Sequence, residues 1–422
     1  MNILLIGSGG REHSLALALT QDPTVTLYTA PGNPGTAEVG TNVPIPDTDL
    51  NALLAFAQNN AIDLTMVGPE GPLVAGIVDL FTQNGLAIVG PDRIGAQLEG
   101  SKAWAKALMA ETGIPTASYA TFARYEDAKA YCDTHAYPLV IKADGLAAGK
   151  GVTIAQTVSE ADHALRDCFL NDAFGSAGKT VVIESFLVGQ EASLLAFCDG
   201  KTILPMLPAQ DHKAIFDGDQ GPNTGGMGTY CPAPIVTPAV MKKVQKQVFD
   251  PLLKGFETRG IVYKGIVYAG LMIDPQGNPW VVEFNARFGD PETQVLLPLL
   301  ETPLATVLNA VWTGTLDQLT LRWKPASAVC VVLASSGYPG AYPKGKIITG
   351  LPLQTPNTQA IHAGTALQNG TLVTNGGRVL GIVGQGPTLQ TAIDTAYQGV
   401  QELQFEGSYH RTDIGKKGLK TT

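Results

Sequence analysis

The chain opens with short apolar runs alternating with longer segments of helical period. Residues 3–6 form a continuous apolar run of strand length, and residues 11–20 follow with apolar positions spaced for a helix. The same reading predicts a strand at 25–29, a helix at 50–59, a strand at 64–67, a helix at 73–83 and a strand at 86–89. Such alternation implies a parallel sheet covered on both faces, a Rossmann-like α/β arrangement. Ligands in such folds sit beyond the carboxyl ends of the strands. Three glycine-bearing segments fall there: Gly7-Ser8-Gly9-Gly10-Arg11-Glu12-His13, Pro31-Gly32-Asn33-Pro34-Gly35 and Val67-Gly68-Pro69-Glu70.

From about residue 101 the strands come in pairs joined by tight polar turns, with Cys198-Asp199-Gly200-Lys201 and Asp274-Pro275-Gln276-Gly277-Asn278 as hairpin signals. A helix is expected over 159–170, opened by Ser159 as its cap. This texture predicts an α+β region with antiparallel sheets. Beyond about residue 322 short strands with Gly-rich turns predict a small C-terminal α+β domain. The expected boundaries are therefore 1–100, 101–322 with a flap subdomain near 120–190, and 323–422.

One strand carries unusual polarity. In Asn278-Pro279-Trp280-Val281-Val282-Glu283-Phe284-Asn285-Ala286-Arg287-Phe288-Gly289-Asp290-Pro291-Glu292, strict alternation places Val281, Glu283 and Asn285 on one face and Trp280, Val282 and Phe284 on the other. The apolar face can pack, and the polar face offers two oxygen donors. That pairing suits a hard cation such as magnesium, which takes few protein ligands and leaves positions for phosphate oxygens. A half-exposed edge strand would also account for it.

Composition narrows the class. A chain of 422 residues is long enough for two to four domains, and 45% hydrophobic with 15% charged residues is globular. The net charge of −9 disfavours non-specific binding to nucleic acid, so phosphate recognition must come from local basic groups and backbone amides. The 48 glycines exceed average usage and point to tight turns or close backbone approach to ligands. Five scattered cysteines, with no C-x-x-C spacing, indicate neither a disulfide framework nor a zinc site. The N-terminus lacks a basic leader and no apolar run is long enough to cross a membrane. A cytoplasmic protein without membrane or nucleic-acid partners is expected, as a monomer or weak dimer.

Glycine-rich segments carry the remaining chemistry. The first fails as a dinucleotide fingerprint, because Glu12 stands where the third glycine belongs and Tyr28-Thr29-Ala30 offers no acid for a ribose. A glycine turn opening a helix still suits an anion, and Arg11 adds charge. Lys142-Ala143-Asp144-Gly145-Leu146-Ala147-Ala148-Gly149-Lys150-Gly151 fails as a Walker loop on spacing and on the missing Ser or Thr. It reads better as a glycine flap between two antiparallel strands, with Lys142 on the strand and Lys150 closing over phosphates. Glu184-Ser185-Phe186-Leu187 followed by Glu191 is a weak signal for an adenine slot and a ribose carboxylate. His212 has no His or Cys partner at ligand spacing, and the long glycine loop Gly221–Gly228 after it suggests function.

Taken in order, G-S-G-G-R-E-H, V-G-P-E-G-P-L, L-E-G-S-K, I-K-A-D-G-L-A-A-G-K-G-V, Q-D-H-K, G-P-N-T-G-G-M-G, E-F-N-A-R-F-G-D-P-E-T-Q and T-N-G-G-R-V-L resemble the phosphoribosylamine–glycine ligases (glycinamide ribonucleotide synthetases) of the ATP-grasp superfamily. The resemblance runs nearly end to end. It implies central ATP-grasp α+β domains with a mobile flap, and a reaction joining glycine to 5-phosphoribosylamine with ATP through glycyl phosphate. It further implies that Glu283 and Asn285 hold magnesium or manganese, and that Lys102, Lys142 and Lys150 neutralise phosphates. Glu184, Phe186 and Leu187 would line the adenine slot, Glu191 would take the ribose, and Arg287 would stabilise the transferring phosphoryl. Gly9, Gly10, Arg11, Glu12 and Glu70 would contribute to the phosphoribosylamine site. Asp211, Lys213, Asp290 and Glu292 would stand near glycine and the reacting amine. Two departures are Ser185, where the family more often has an acid, and Leu271, where many ATP-grasp enzymes place a first acidic metal ligand. Another ATP-grasp activity, such as a biotin-type carboxylase or a formate-dependent transformylase, and a catalytically silent nucleotide-binding protein are the competing readings.

Overall fold

The computed structural model describes residues 1–146, 151–353 and 355–420. The N-terminal alternation builds a parallel sheet of Asn2–Gly7, Thr26–Pro31, Thr41–Asn42, Leu64–Val67 and Ile88–Val89, in the spatial order third, second, first, fourth, fifth. Ile3 pairs with Leu27 on one side and Leu64 on the other, so the strand order reverses at the first strand. A crevice opens at its carboxyl end, where Gly7 leads into the helix Gly10–Leu19. The continuous apolar run is explained by burial on both faces: Ile3 and Leu5 enter one core, Leu4 and Ile6 another. The helix expected at 73–83 is instead two, Glu70–Ala75 and Ile77–Gln83, because Gly76 adopts φ 92° between them.

Two four-stranded antiparallel sheets follow. The flap sheet orders Tyr119–Phe122, Val181–Ser185, Leu139–Ala143 and Val152–Ala155; the central sheet orders Ile203–Pro205, Gln190–Asp199, Lys264–Ile273 and Pro279–Asn285. Lys142 pairs with Val152 across the expected glycine hairpin, while its residues 147–150, Lys150 included, lie outside the described residues. The helix over this sheet is Val158–Phe169, and its cap is Thr157 rather than Ser159. Thr157 Oγ1 accepts from the Glu160 amide at 3.2 Å, and the Glu160 carboxylate accepts from the Gln156 amide at 2.7 Å. Thr157 and Glu160 together satisfy two amides at the helix start, which a serine two residues inside the helix cannot do.

The polar strand departs from strict alternation. Gly270 pairs with Glu283 but Leu271 pairs with Val281, so Val282 is an extra residue, a β-bulge. Val281 therefore does not share the face of Glu283; it is fully buried with Phe284 and Ala286 in the core. Val282 turns to the cleft beside Glu283 and Asn285. The same register sends Leu271 into that core, so an acid at this position would not reach the site; Gly270 and Met272 occupy the cleft-facing positions of its strand.

The third sheet is assembled from distant parts of the chain. Gln210–Asp211 and Gly228–Cys231 pair on to Ser327–Ala334, followed by Arg378–Gly386 and Thr358–His362, under the helix Leu389–Glu402. Arg411, fully buried, ties the C-terminal segment back to the hairpin Ala214–Phe216/Gln220–Asn223. Its Nη1 donates to Ala214 O at 3.0 Å and Asp219 Oδ1 at 3.1 Å, and its Nε and Nη2 each meet Asp413 at 2.7 Å. The hairpin that follows Lys213 is thereby fixed.

Candidate active site

A cavity of about 510 Å³ lies between the flap sheet and the central sheet, within the size range of a small-molecule site. Val140, Lys142, Ile154 and Glu184 line it from the flap sheet, and Met272, Val282, Glu283 and Asn285 from the central sheet. Phe186 and Leu187, on the connector between the sheets, complete an apolar slot with Met272, Val140 and Ile154. The N-terminal domain contributes Arg11 and Glu70, and the third sheet contributes Arg378.

Buried charge is concentrated at the slot. Lys142 Nζ lies 2.8 Å from Glu184 Oε1, and Lys106 Nζ lies 2.9 Å from Glu184 Oε2. Lys142 Nζ also donates to Val282 O at 3.0 Å, the carbonyl presented by the bulge. Each carboxylate oxygen of Glu184 faces its own ammonium group. Glu184 is thus a counter-ion as well as a lining residue. Burial pushes Lys106 down to about 8 despite the carboxylate beside it. Lys102 opens the helix Lys102–Thr112, donates to Gly145 O at 3.1 Å and is also lowered by burial. Asp144, accepting from the Ala103 amide at 2.7 Å, ties the flap strand to the start of that helix.

Glu283 and Asn285 point into the cavity from the bulged strand. Lys213, 3.5 Å from Glu283 Oε1 and 3.5 Å from Glu191 Oε2, holds the Glu283 carboxyl down to about 2 against burial, aided by Lys142, Lys102 and Arg287. Asn285 Oδ1 accepts from Arg287 Nη2 at 3.3 Å. Arg287 is gripped from the other side, with Nη2 2.8 Å from Glu99 Oε1 and Nε 3.4 Å from Glu70 Oε2.

Beyond this shelf lies a second polar cluster. Glu292 Oε1 accepts from Ser193 Oγ at 2.9 Å and from the Tyr268 hydroxyl at 2.6 Å. Burial, and then the nearby Glu292, push Asp211 well above the usual carboxylate range. Burial would raise Asp290 too, but Arg378 and Arg11 hold it below its usual value. Its Oδ1 accepts from Gln294 Nε2 at 2.8 Å and lies 3.4 Å from Arg378 Nη1.

The glycine turn is arranged differently from its expectation. The Gly9 amide donates to Glu12 Oε2 at 2.6 Å, and the Arg11 amide to Asp290 Oδ2 at 3.3 Å, so these helix-opening amides are not free for a phosphate. Gly7, Gly9 and Gly68 make room for the Glu12 carboxylate, since a Cβ at any of them would stand within 2.9 Å of it. Gly10 packs under Gln294 and Ile361. Arg11 and Glu70 face the cavity; Gly9, Gly10 and Glu12 support it from below. Arg11 Nε meets Glu12 Oε1 at 2.5 Å and its Nη1 donates to Phe288 O at 3.2 Å.

Sequence reasoning missed Glu99, Lys106, Ser193, Tyr268 and Arg378. Glu99 and Arg378 stood inside motifs already singled out, L-E-G-S-K and T-N-G-G-R, so a signal existed. Lys106, Ser193 and Tyr268 sit in apolar segments and enter the site only through packing.

Two antiparallel sheets closing on a cleft, with buried lysines facing a carboxylate and an amide on the opposite strand, define an ATP-grasp enzyme. The N domain of phosphoribosylglycinamide synthetase matches residues 1–99, its ATP-grasp (A) domain residues 100–293 and its C domain residues 328–417. The phosphoribosylamine–glycine ligase of Vibrio cholerae is 51% identical over 423 residues, covering 99% of both chains. The crystal structure of phosphoribosylamine–glycine ligase from Thermotoga maritima matches with a TM-score of 0.86 at 35% identity, over 98% of this chain and 100% of that one. The biotin carboxylase domain of Hydrogenobacter thermophilus 2-oxoglutarate carboxylase shares the fold at 17% identity and TM-score 0.72, over 97% of this chain and 91% of that one. The chain belongs to the phosphoribosylglycinamide synthetase family. It is an ATP-grasp ligase.

Proposed function

We propose that the chain joins glycine to 5-phosphoribosylamine with ATP, giving glycinamide ribonucleotide, ADP and phosphate in purine synthesis. The observation that carries this reading is the Glu283–Asn285 pair facing Lys102 and Lys142 across a cavity of about 510 Å³. The adenine would enter the slot of Phe186, Leu187 and Met272, with Glu184 lining its inner end. Glu191 would take the ribose. Lys102 and Lys142, with Lys150, would neutralise the phosphates.

The donors fit a divalent cation. Glu283 and Asn285 supply hard oxygens, and among the described residues no three His, Cys, Asp or Glu side chains gather to hold a metal by themselves. Glu283 and Asn285 would hold a magnesium or manganese ion, which would supply charge neutralisation to the phosphoryl group.

The glycine carboxylate would attack the γ-phosphorus, releasing ADP and forming glycyl phosphate, with Arg287 placed to stabilise the transferring charge. The phosphoribosylamine nitrogen would then attack the glycyl carbonyl and expel phosphate. Asp211, Asp290 and Glu292, with Lys213, would lie near glycine and the reacting amine, and a buried carboxylate there would take the proton that the amine loses. Domains 1–100, 101–322 and 323–422 would then supply the amine, nucleotide and closing parts. A net charge of −9 supports small-molecule partners rather than nucleic acid, and a cytoplasmic monomer or weak dimer suits the reading. Among the described residues no helix is long and apolar enough to cross a membrane.

ADP release measured with each small amino acid tests the reaction. It should require both glycine and phosphoribosylamine for full rate; dependence on bicarbonate or formate instead would assign a different ATP-grasp activity. Arg11→Ala should raise the KM for phosphoribosylamine by about ten- to a hundredfold, the worth of one charge-assisted contact, with ATP and glycine requirements little changed. A selective ATP defect in that variant would move the amine site out of the N-terminal domain.

A further inference from the structure

Glu99 is a buried carboxylate to which the chemistry above gives no task. It sits in the short helix Gln97–Gly100, its side chain 8% exposed, three residues ahead of Lys102. Leu98 beside it, 1% exposed, already anchors this turn in the apolar core. A charged residue is not needed to seat the turn, and burying one is costly unless it is paired.

The two oxygens of Glu99 grip consecutive residues just beyond the metal-shelf strand. Oε2 accepts from the Ala286 amide at 2.8 Å, and Oε1 lies 2.8 Å from Arg287 Nη2. The rest of the guanidinium is held by Glu70 at Nε, by Phe288 O at Nη1 and by Asn285 Oδ1 at Nη2. Of these partners Glu99 alone binds both the Arg287 head and the backbone at the residue before it. It therefore sets the direction of the side chain and the position of the strand end together.

We infer that Glu99 is a positioning residue for Arg287, orienting its guanidinium beside Asn285 through the paired contacts to Ala286 N and Arg287 Nη2. The inference rests on the reading of Arg287 as the group that stabilises the transferring phosphoryl. A planar guanidinium is useful to a developing charge only when it is already aimed, because reorganisation during the reaction cancels the gain.

Four variants test it, each with kcat, the three KM values and thermal unfolding measured. Glu99→Gln keeps an acceptor for the Ala286 amide and loses the charge toward Arg287. It should lower kcat by about ten- to a hundredfold, with the KM for ATP changed by less than about threefold. Glu99→Asp keeps a carboxylate in the buried site but pulls it back by one methylene, so it should fold as the parent does and lose about fivefold or more in kcat. In the Arg287→Gln background, adding Glu99→Gln should cost no further activity, because there is no guanidinium left to aim. A merely structural Glu99 would shift the unfolding temperature and leave kcat in place in both single variants; that result overturns the inference. Multiplying losses in the double variant would overturn it as well. Arg287→Gln with parental kcat would instead remove the role of Arg287, and the inference with it, while leaving the ligase reading intact.

Discussion

Glu283→Gln is expected to lower turnover by about a thousandfold or more while the protein still folds. Glutamine keeps the shape of the side chain on the bulged strand and its packing against Gly270. What it loses is the charge that Lys213, Lys142, Lys102 and Arg287 together maintain, with Lys213 foremost and burial opposing. The carboxyl is held at about 2, so it is ionised at any working pH and available as a hard ligand. A neutral amide would bind a divalent cation weakly and remove one of the two carboxylates that pair with Lys213 among the described residues. Initial rates at saturating magnesium, beside thermal unfolding, measure both parts, and a parental rate would remove Glu283 from the metal shelf. The sign of the pH effect follows from the depressed value. A carboxyl lower in the folded than in the unfolded state stabilises above its ordinary value of 4.5 and loses that contribution as pH falls toward about 2. Acid unfolding should therefore be less steep in Glu283→Gln across that window.

The largest effect on stability is expected at Glu184. Among the described residues it is the carboxylate shared by Lys106 and Lys142, and all three side chains are at most 5% exposed. Glu184→Ala leaves two buried ammonium groups without that anion, a loss of about 3–5 kcal/mol, readable as a lower urea midpoint. The KM for ATP should rise as well, because Lys142 loses the partner that fixes it over the slot. The pH dependence is diagnostic. Lys106 is already lowered to about 8, and without Glu184 its folded-state value must fall further below the unfolded one. A lysine depressed in the folded state destabilises while it is protonated, so the variant should regain stability as pH rises from about 7 toward 9. A Glu184→Ala protein with parental stability at pH 7 would mean that the two lysines are relieved by some other anion.

Much of this was legible in the residues, and the parts that were not share a cause. The parallel sheet could be read because runs such as Ile3–Ile6 are buried on both faces and leave a continuous apolar signal. Glu283 and Asn285 stood out as polar positions in an otherwise apolar strand. Strict alternation misplaces Val281 because a bulge adds one residue without changing composition, and nothing in Val281-Val282 marks which valine is the extra one. The glycine turn is expected to offer free amides to an anion, but the Gly9 amide is taken by Glu12 and the neighbouring Arg11 amide by Asp290, 279 residues away. Tyr268 and Ser193 meet Glu292 only through strand register, which no local window contains.

The sheet that joins Gly228–Cys231 to Ser327–Ala334 has a consequence for how the molecule is made. A ribosome delivers residues 228–231 long before their neighbour, so this strand must wait with an open edge while about a hundred further residues emerge. The hairpin behind Lys213 waits longer still, for Arg411. The side of the site that carries Asp211, Lys213 and Arg378 is thus among the last places to become rigid during synthesis, whereas the two sheets of the nucleotide cleft are complete once Asn285 has emerged. A nascent chain stalled before its final segment would present Asp211 and Lys213 on an unfinished scaffold, as a client for chaperones rather than a partial enzyme.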